Sequence, residues 1–316
     1  MLAVAAWIVL ADAVGTEHLA GVMHRVEPVW LAVCFGAQVV AYLGYVLAVR
    51  NVVRVDGGPR LSLSLTTRTV VAGFGVYAAT HASGGFAVDY WTLRRAGLRR
   101  EQAVARVLGL GALEYAVLAS AALGSAVLLL LGGGGHVQDA MTVPWLLVIP
   151  GFAAAAWVSS PRRAARLADP GRGGRVRHGF AHAVTSLITV RALAASPGRH
   201  ATAFLGVALY WAGDIACLWA ALQMVSAAPA VPALVVAYAG AYVLSRRSLP
   251  AGGAGVVEVL MTLALVGVGV PLAPAALAVL VYRLFNFWLP ILPALAALPT
   301  VRELQRAFAE AERASA

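Results

Sequence analysis

Apolar segments of roughly 17 to 25 residues recur along the whole chain, each long enough to cross about 30 Å of hydrocarbon. No polar stretch between them is large enough to build a soluble domain of its own. Charged residues make up 12% of the chain against a usual share of about 25%, which leaves little with which to solvate a globular surface. The pattern predicts an all-α polytopic membrane protein. One transmembrane domain covers residues 1–300, and residues 301–316 form a polar C-terminal helix on the cytoplasmic side.

All 24 basic side chains are arginine, so chemistries that need lysine are excluded: a Walker A phosphate site, a Schiff base, a lysine general base. Arginine without lysine, beside abundant Ala, Gly and Val, points to a GC-rich bacterial genome and hence to a bacterial cytoplasmic (inner) membrane. The net charge of +10 is carried by arginines clustered between spans, which suits anionic lipid rather than nucleic acid. Cys34 and Cys217 fall inside apolar runs, where thiols act as small hydrophobes, so no disulfide is expected. His178 and His182 stand at helical spacing without a third ligand, so neither metal nor cofactor is expected. No Gly-x-Ser-x-Gly pattern or Ser/His/Asp order argues for covalent catalysis.

Arginine runs order the topology. Residues 28–49 make a clean span, and the loop 50–60, with three arginines and one aspartate, belongs inside the cell. An apolar helix from Leu61 then breaks near His81–Gly85, and the apolar residues left before Arg94 and Arg95 are too few to cross. A re-entrant hairpin with the glycine pair at its tip is predicted, tolerated where protein or water shields the backbone. Residues 103–131 and 142–158 cross out and back, and the arginine-rich stretch 159–177 returns to the cytoplasmic leaflet. Residues 180–195 read as interfacial, 202–225 as a span, 229–244 and 255–270 as a second hairpin or two crossings, and 274–297 as a last span. Both termini fall on the cytoplasmic side.

Two stretches echo one another. Gly84 and Gly85 precede Asp89, and Gly252 and Gly253 precede Glu258, with the acid one residue later in the second copy. Inverted repeats of about 28–158 and 180–298, built around re-entrant or broken helices, follow from that echo and from the opposite directions of the hairpins. A charge at membrane depth costs about 2.5 to 3.5 kcal/mol, so Asp214, Glu258 and Arg283 must pair or face water. Arg283, with amides after Gly252 and Gly253 at a helix start, is the best phosphate ligand. Arg246 and Arg247 come second. Asp89 and Glu114 suit a cationic headgroup, or else neutralise Arg94 or Arg106, and Arg68 is open to the same two readings. Glu258 has a second role available as a first-turn residue bonding back to free amides after Gly255. An internal ion-pair network and a headgroup cavity are both compatible with these charges.

Several motifs together resemble a known family. Residues 249–258 (Leu-Pro-Ala-Gly-Gly-Ala-Gly-Val-Val-Glu), 269–271 (Gly-Val-Pro) and 282–290 (Tyr-Arg-Leu-Phe-Asn-Phe-Trp-Leu-Pro) are similar to the C-terminal signature of the lysylphosphatidylglycerol synthase transmembrane family. Gly84-Gly85 through Gly97, and Tyr210-Trp-Ala-Gly-Asp214, resemble its other landmarks. The resemblance implies a lipid flippase moving an aminoacylated or otherwise modified phospholipid between leaflets, alone, as a homodimer or beside a separate synthase. With no soluble transferase domain in the 316 residues, lysyl transfer is not expected. The alternative is a membrane glycosyl- or phosphotransferase using a polyprenyl-phosphate-linked donor, for which Asp12, Glu17 and Glu27 are the only outer-loop acids on offer.

Overall fold

The computed structural model describes residues 27–79, 82–132, 137, 139–163, 175–245, 253, 255–297 and 299. Their regular structure is entirely helical, with no strand among the described residues. The long helices are α1 (Val29–Val53), α2 (Leu63–Ala79), α3 (Ala82–Arg95), α4 (Arg100–Leu131) and α5 (Val148–Val158), the last continuing a short helical lead-in from Asp139. There follow α6 (Arg175–Ala195), α7 (Pro197–Met224), α8 (Val231–Ser245), α9 (Val256–Gly267), α10 (Leu272–Arg283), a π-helical turn (Leu284–Trp288) and α11 (Leu289–Ala296).

Five stretches are long and apolar enough to cross a membrane: Val29–Val53, Arg100–Leu131, Asp139–Val158, His200–Met224 and Leu272–Ala296. The protein is a multi-pass membrane protein. In contrast α3, α8 and α9 have 14, 15 and 12 residues, short of the ~20 that a crossing needs. The first break falls slightly earlier than the sequence suggests. Gly84 and Gly85 lie in the first turn of α3 instead of at a loop tip, and a Cβ on Gly85 would sit 3.2 Å from the Gly73 carbonyl oxygen of α2. The glycine therefore serves close helix packing there.

The tightest pair in the fold is α1 against α7. A Cβ on Gly44 would lie 2.6 Å from the carbonyl oxygen of Gly206, and one on Gly213 would lie 2.5 Å from that of Ala37. Backbones meet directly, as small residues allow between membrane helices. Around this pair the inner helices close a ring, in which α2 packs on α3, α3 on α4, α4 on α8, α8 on α9, α9 on α10, and α10 back on α7. α11 covers α2, and α6 lies outside against α4. Lipid-facing positions are apolar and exposed, with Leu147, Ile149 and Trp157 on the 139–158 span among them.

Arginines mark one end of the bundle. Arg50 donates to the Leu61 carbonyl, Arg94 to that of Leu98, and the buried Arg106 to that of Val55 in the turn after α1. The ends of α1 and α3 and the start of α4 thus share a basic rim.

Candidate functional site

Inside the ring lies a cavity of about 180 Å³, more than ten times the ~15 Å³ that one water requires. Every inner helix contributes to its wall. α3 brings Gly85 and Asp89, α4 brings Glu114, α7 brings Asp214, and α10 brings Tyr282 and Arg283. Tyr42, Tyr45, Phe74, Tyr77 and Phe287 make much of the remaining lining. Tyr42 and Phe287 each meet Phe74 edge-on, at 6.0 and 6.1 Å between ring centroids.

Asp214 is 2% exposed and accepts four hydrogen bonds from three helices and the π turn. Gln38 Nε2 donates at 2.7 Å, Tyr282 Oη at 2.9 Å and Asn286 Nδ2 at 2.6 Å, and the Tyr238 hydroxyl completes the set. These are neutral donors, and together they offset the cost of a carboxylate at membrane depth. The π turn has a role here, because it carries Asn286 onto Asp214 directly after Arg283. Asp214→Asn replaces one acceptor oxygen by a donor, and each charge-assisted bond lost is worth about 1.5 to 3 kcal/mol. The expected outcome is a markedly lower thermal midpoint in detergent, read by the loss of monodisperse protein after heating.

Glu258 and Arg283 pair. Arg283 Nε donates to Glu258 Oε1 at 2.8 Å, with the Arg283 side chain 5% and the Glu258 side chain 4% exposed. The other carboxylate oxygen, Oε2, accepts the Gly255 amide at 2.6 Å, so Glu258 caps the start of α9. Gly255 has φ +92° and Gly253 φ +70°, conformations that glycine adopts without penalty. The guanidinium also lies over the Phe287 ring at 4.3 Å. Both readings of Glu258 are realised together, since it caps a helix and neutralises Arg283.

Of the residues singled out from the sequence, Gly85, Asp89, Glu114, Asp214 and Arg283 line the one cavity, and Glu258 stands behind Arg283. Gly84 lies one residue before Gly85, and Gly253 is buried beside the start of α9. Arg246, Arg247 and Gly252 lie outside the described residues, as do Asp12 and Glu17. Arg68 is exposed on α2 and Glu27 is exposed before α1, both away from the cavity wall. Gln38, Tyr238 and Asn286 went unmarked in the sequence reading. Gln38 carried a signal, being a polar side chain midway along an otherwise apolar span.

Glu114 is 3% exposed, and its backbone carbonyl accepts the Trp211 indole N–H at 2.9 Å, which ties α4 to α7. Asp89 makes no hydrogen bond or ion pair among the described residues. Besides Arg283, which Glu258 pairs, the lining carries three carboxylates, Asp89, Glu114 and Asp214, beside aromatic faces.

No curated protein matches the chain. The family model of the lysylphosphatidylglycerol synthase TM region matches residues 1–294, which include every described cavity residue. The chain belongs to the lysylphosphatidylglycerol synthase transmembrane family.

Proposed function

We propose that the protein is a lipid flippase of the bacterial cytoplasmic membrane, carrying a phospholipid with an amine-bearing headgroup between leaflets. The cavity carries this reading, since it is an aromatic, carboxylate-rich space within a bundle whose outer surface is apolar. The headgroup occupies the cavity and its acyl chains stay in the bilayer. Asp89 and Glu114 face its cation, while Arg283, held by Glu258, borders the same space. Arg246, Arg247 and the amides near Gly252 and Gly253 are assigned to the phosphate.

The packing supports two inverted repeats. α1 answers α7, the α2–α3 hairpin answers α8–α9, and α4 answers α10 with α11. The counterpart contacts are present, with α4 against α8 and α11 against α2. The second members of the two hairpins, α3 and α9, both border the cavity, through Asp89 on one and Met261 on the other. Alternate movement of the hairpins exposes the headgroup to each leaflet in turn.

Lipid extracted from purified protein tests the assignment. Mass spectrometry is expected to show an aminoacylated or other amine-bearing phospholipid enriched over the host membrane. Enrichment of a polyprenyl phosphate, or glycosyl transfer from one, would favour a transferase instead.

A further inference from the structure

The stretch Leu272–Ala296 is long enough to cross the membrane, yet its backbone changes character midway. The Leu289 amide reaches back to the Leu284 carbonyl, five residues earlier instead of four, and this wider turn carries Asn286 onto Asp214. Pro290 and Pro293 follow at once, and neither has an N–H to give to the turn before it. Weakened backbone bonding over successive turns is where a helix bends. α4, the counterpart assigned to this stretch above, is an unbroken helix of 32 residues without proline.

The two sides of the break are bound to different neighbours. Before it, α10 is fastened to the main bundle, since Tyr282 donates to Asp214 on α7 and Arg283 to Glu258 on α9. After it, α11 packs on α2, where a Cβ on Gly75 would lie 2.7 Å from the Cβ of Ala294. α2 is joined to α3 in turn, through the Thr69 and Thr92 hydroxyls, 3.3 Å apart, and through Gly85 against Gly73. Among the described residues, Ala72 on α2 and Val88 on α3 form a buried cluster separate from the main core, and Val76, Trp91 and Ala297 pack on it. Ala297 directly follows α11, so α2, α3 and α11 share a small core of their own. Toward the basic rim the hairpin is anchored instead. Val70, Leu93 and Leu98 belong to the main core, and Phe86 and Tyr90 rest against it. A unit anchored at one end, with its own core at the other, can tilt as a body.

We propose that the turn Leu284–Trp288 is a hinge, latched by Asn286 on Asp214, about which α11 swings together with α2 and α3. This rests on the translocation reading above and gives its alternating movement a pivot. The moving unit brings Gly73, Phe74, Tyr77 and Asp89 to the cavity, so its swing opens that wall. Phe74 meets Tyr42 and Phe287 edge-on, and such ring contacts slide without breaking a hydrogen bond. Asn286 is different. Its 2.6 Å bond to the carboxylate must break for the turn to leave α7, while Gln38, Tyr238 and Tyr282 remain to hold Asp214. A headgroup donor that takes the place of Asn286 on Asp214 releases the latch.

Spin-label distances in the full chain, reconstituted in lipid, provide the test. Leu63→Cys on α2, Leu263→Cys on α9 and Leu295→Cys on α11 replace exposed residues and are used two at a time, with the buried Cys34 and Cys217 changed to alanine. The pair 63 and 295, inside the moving unit, is expected to keep one narrow distance throughout. The pair 263 and 295, across the hinge, is expected to show two. Asn286→Leu should raise the ratio of the second distance to the first at least about tenfold, as loss of a hydrogen bond to a charged group implies. Pro290→Ala with Pro293→Ala restores the missing N–H groups and should suppress the second distance, which keeps the hinge testable if Asn286→Leu does not fold. A distribution across the hinge that is as narrow as the internal one and unmoved by these variants would overturn the hinge while leaving translocation untouched. So would an internal distance that changes along with it. Two distances in protein that moves no lipid would uphold the hinge and overturn translocation alone.

Discussion

Arg283→Met is expected to destabilise the protein by about 3 to 5 kcal/mol, the usual cost of leaving one member of a buried ion pair without its partner. Among the described residues, Glu258, at 3% exposure, would then keep only the Gly255 amide as a hydrogen-bond donor. The double variant Arg283→Met with Glu258→Met removes both charges, and such replacements in buried pairs are often near neutral. It forfeits the cap on α9, worth about 1 kcal/mol. We therefore expect the single variant to lose most monodisperse protein on mild heating and the double variant to recover it. Translocation should stay lost in the double variant, because the guanidinium that faces the cavity is gone. Equal destabilisation of single and double variants would show that the pair is not what the site depends on for its structure.

Gly206→Leu carries the other large effect. A Cβ on Gly206 would lie 2.6 Å from the Ala48 amide nitrogen and 2.7 Å from the Gly44 carbonyl oxygen, both backbone atoms of α1. A side chain there must push α1 away from α7 along their tightest contact. Gln38 sits on α1 and Asp214 on α7, so separating the helices also pulls apart a 2.7 Å hydrogen bond in the cavity wall. The variant is expected to aggregate on extraction into detergent. Gly36→Ala, on the partner helix α1 but with nothing within 4 Å of the added carbon, should behave as the wild type. If Gly206→Leu instead gives protein of wild-type thermal midpoint, the close approach of α1 and α7 is not a requirement of the fold.

The charges of the site were legible in sequence because membrane depth makes each of them costly. Asp214, Glu258 and Arg283 stand out for that reason, and the structure brings Asp214 and Arg283 to one cavity with Glu258 paired behind Arg283. What surrounds them was not legible. Neutral donors such as Tyr238 and Asn286 carry little insertion cost and share a residue type with ordinary packing and interface positions. Their convergence on Asp214 depends on α8 and the π turn arriving at the same place, a long-range fact that no local pattern encodes. The sequence pattern predicts a break at the glycine pair 84 and 85, which is helical. Glycine marks a hinge and a close approach with the same letter, and only the neighbouring Gly73 on α2 decides between them.

The most direct test of the account is leaflet exchange by the purified full chain. Vesicles are prepared with aminoacylated phosphatidylglycerol in the inner leaflet, and an impermeant amine-reactive reagent reports its arrival outside. The account predicts labelling well above that of protein-free vesicles and close to background for Asp214→Asn and for the Arg283→Met, Glu258→Met double variant. Labelling no faster than in protein-free vesicles, from wild-type protein that remains folded, would contradict it.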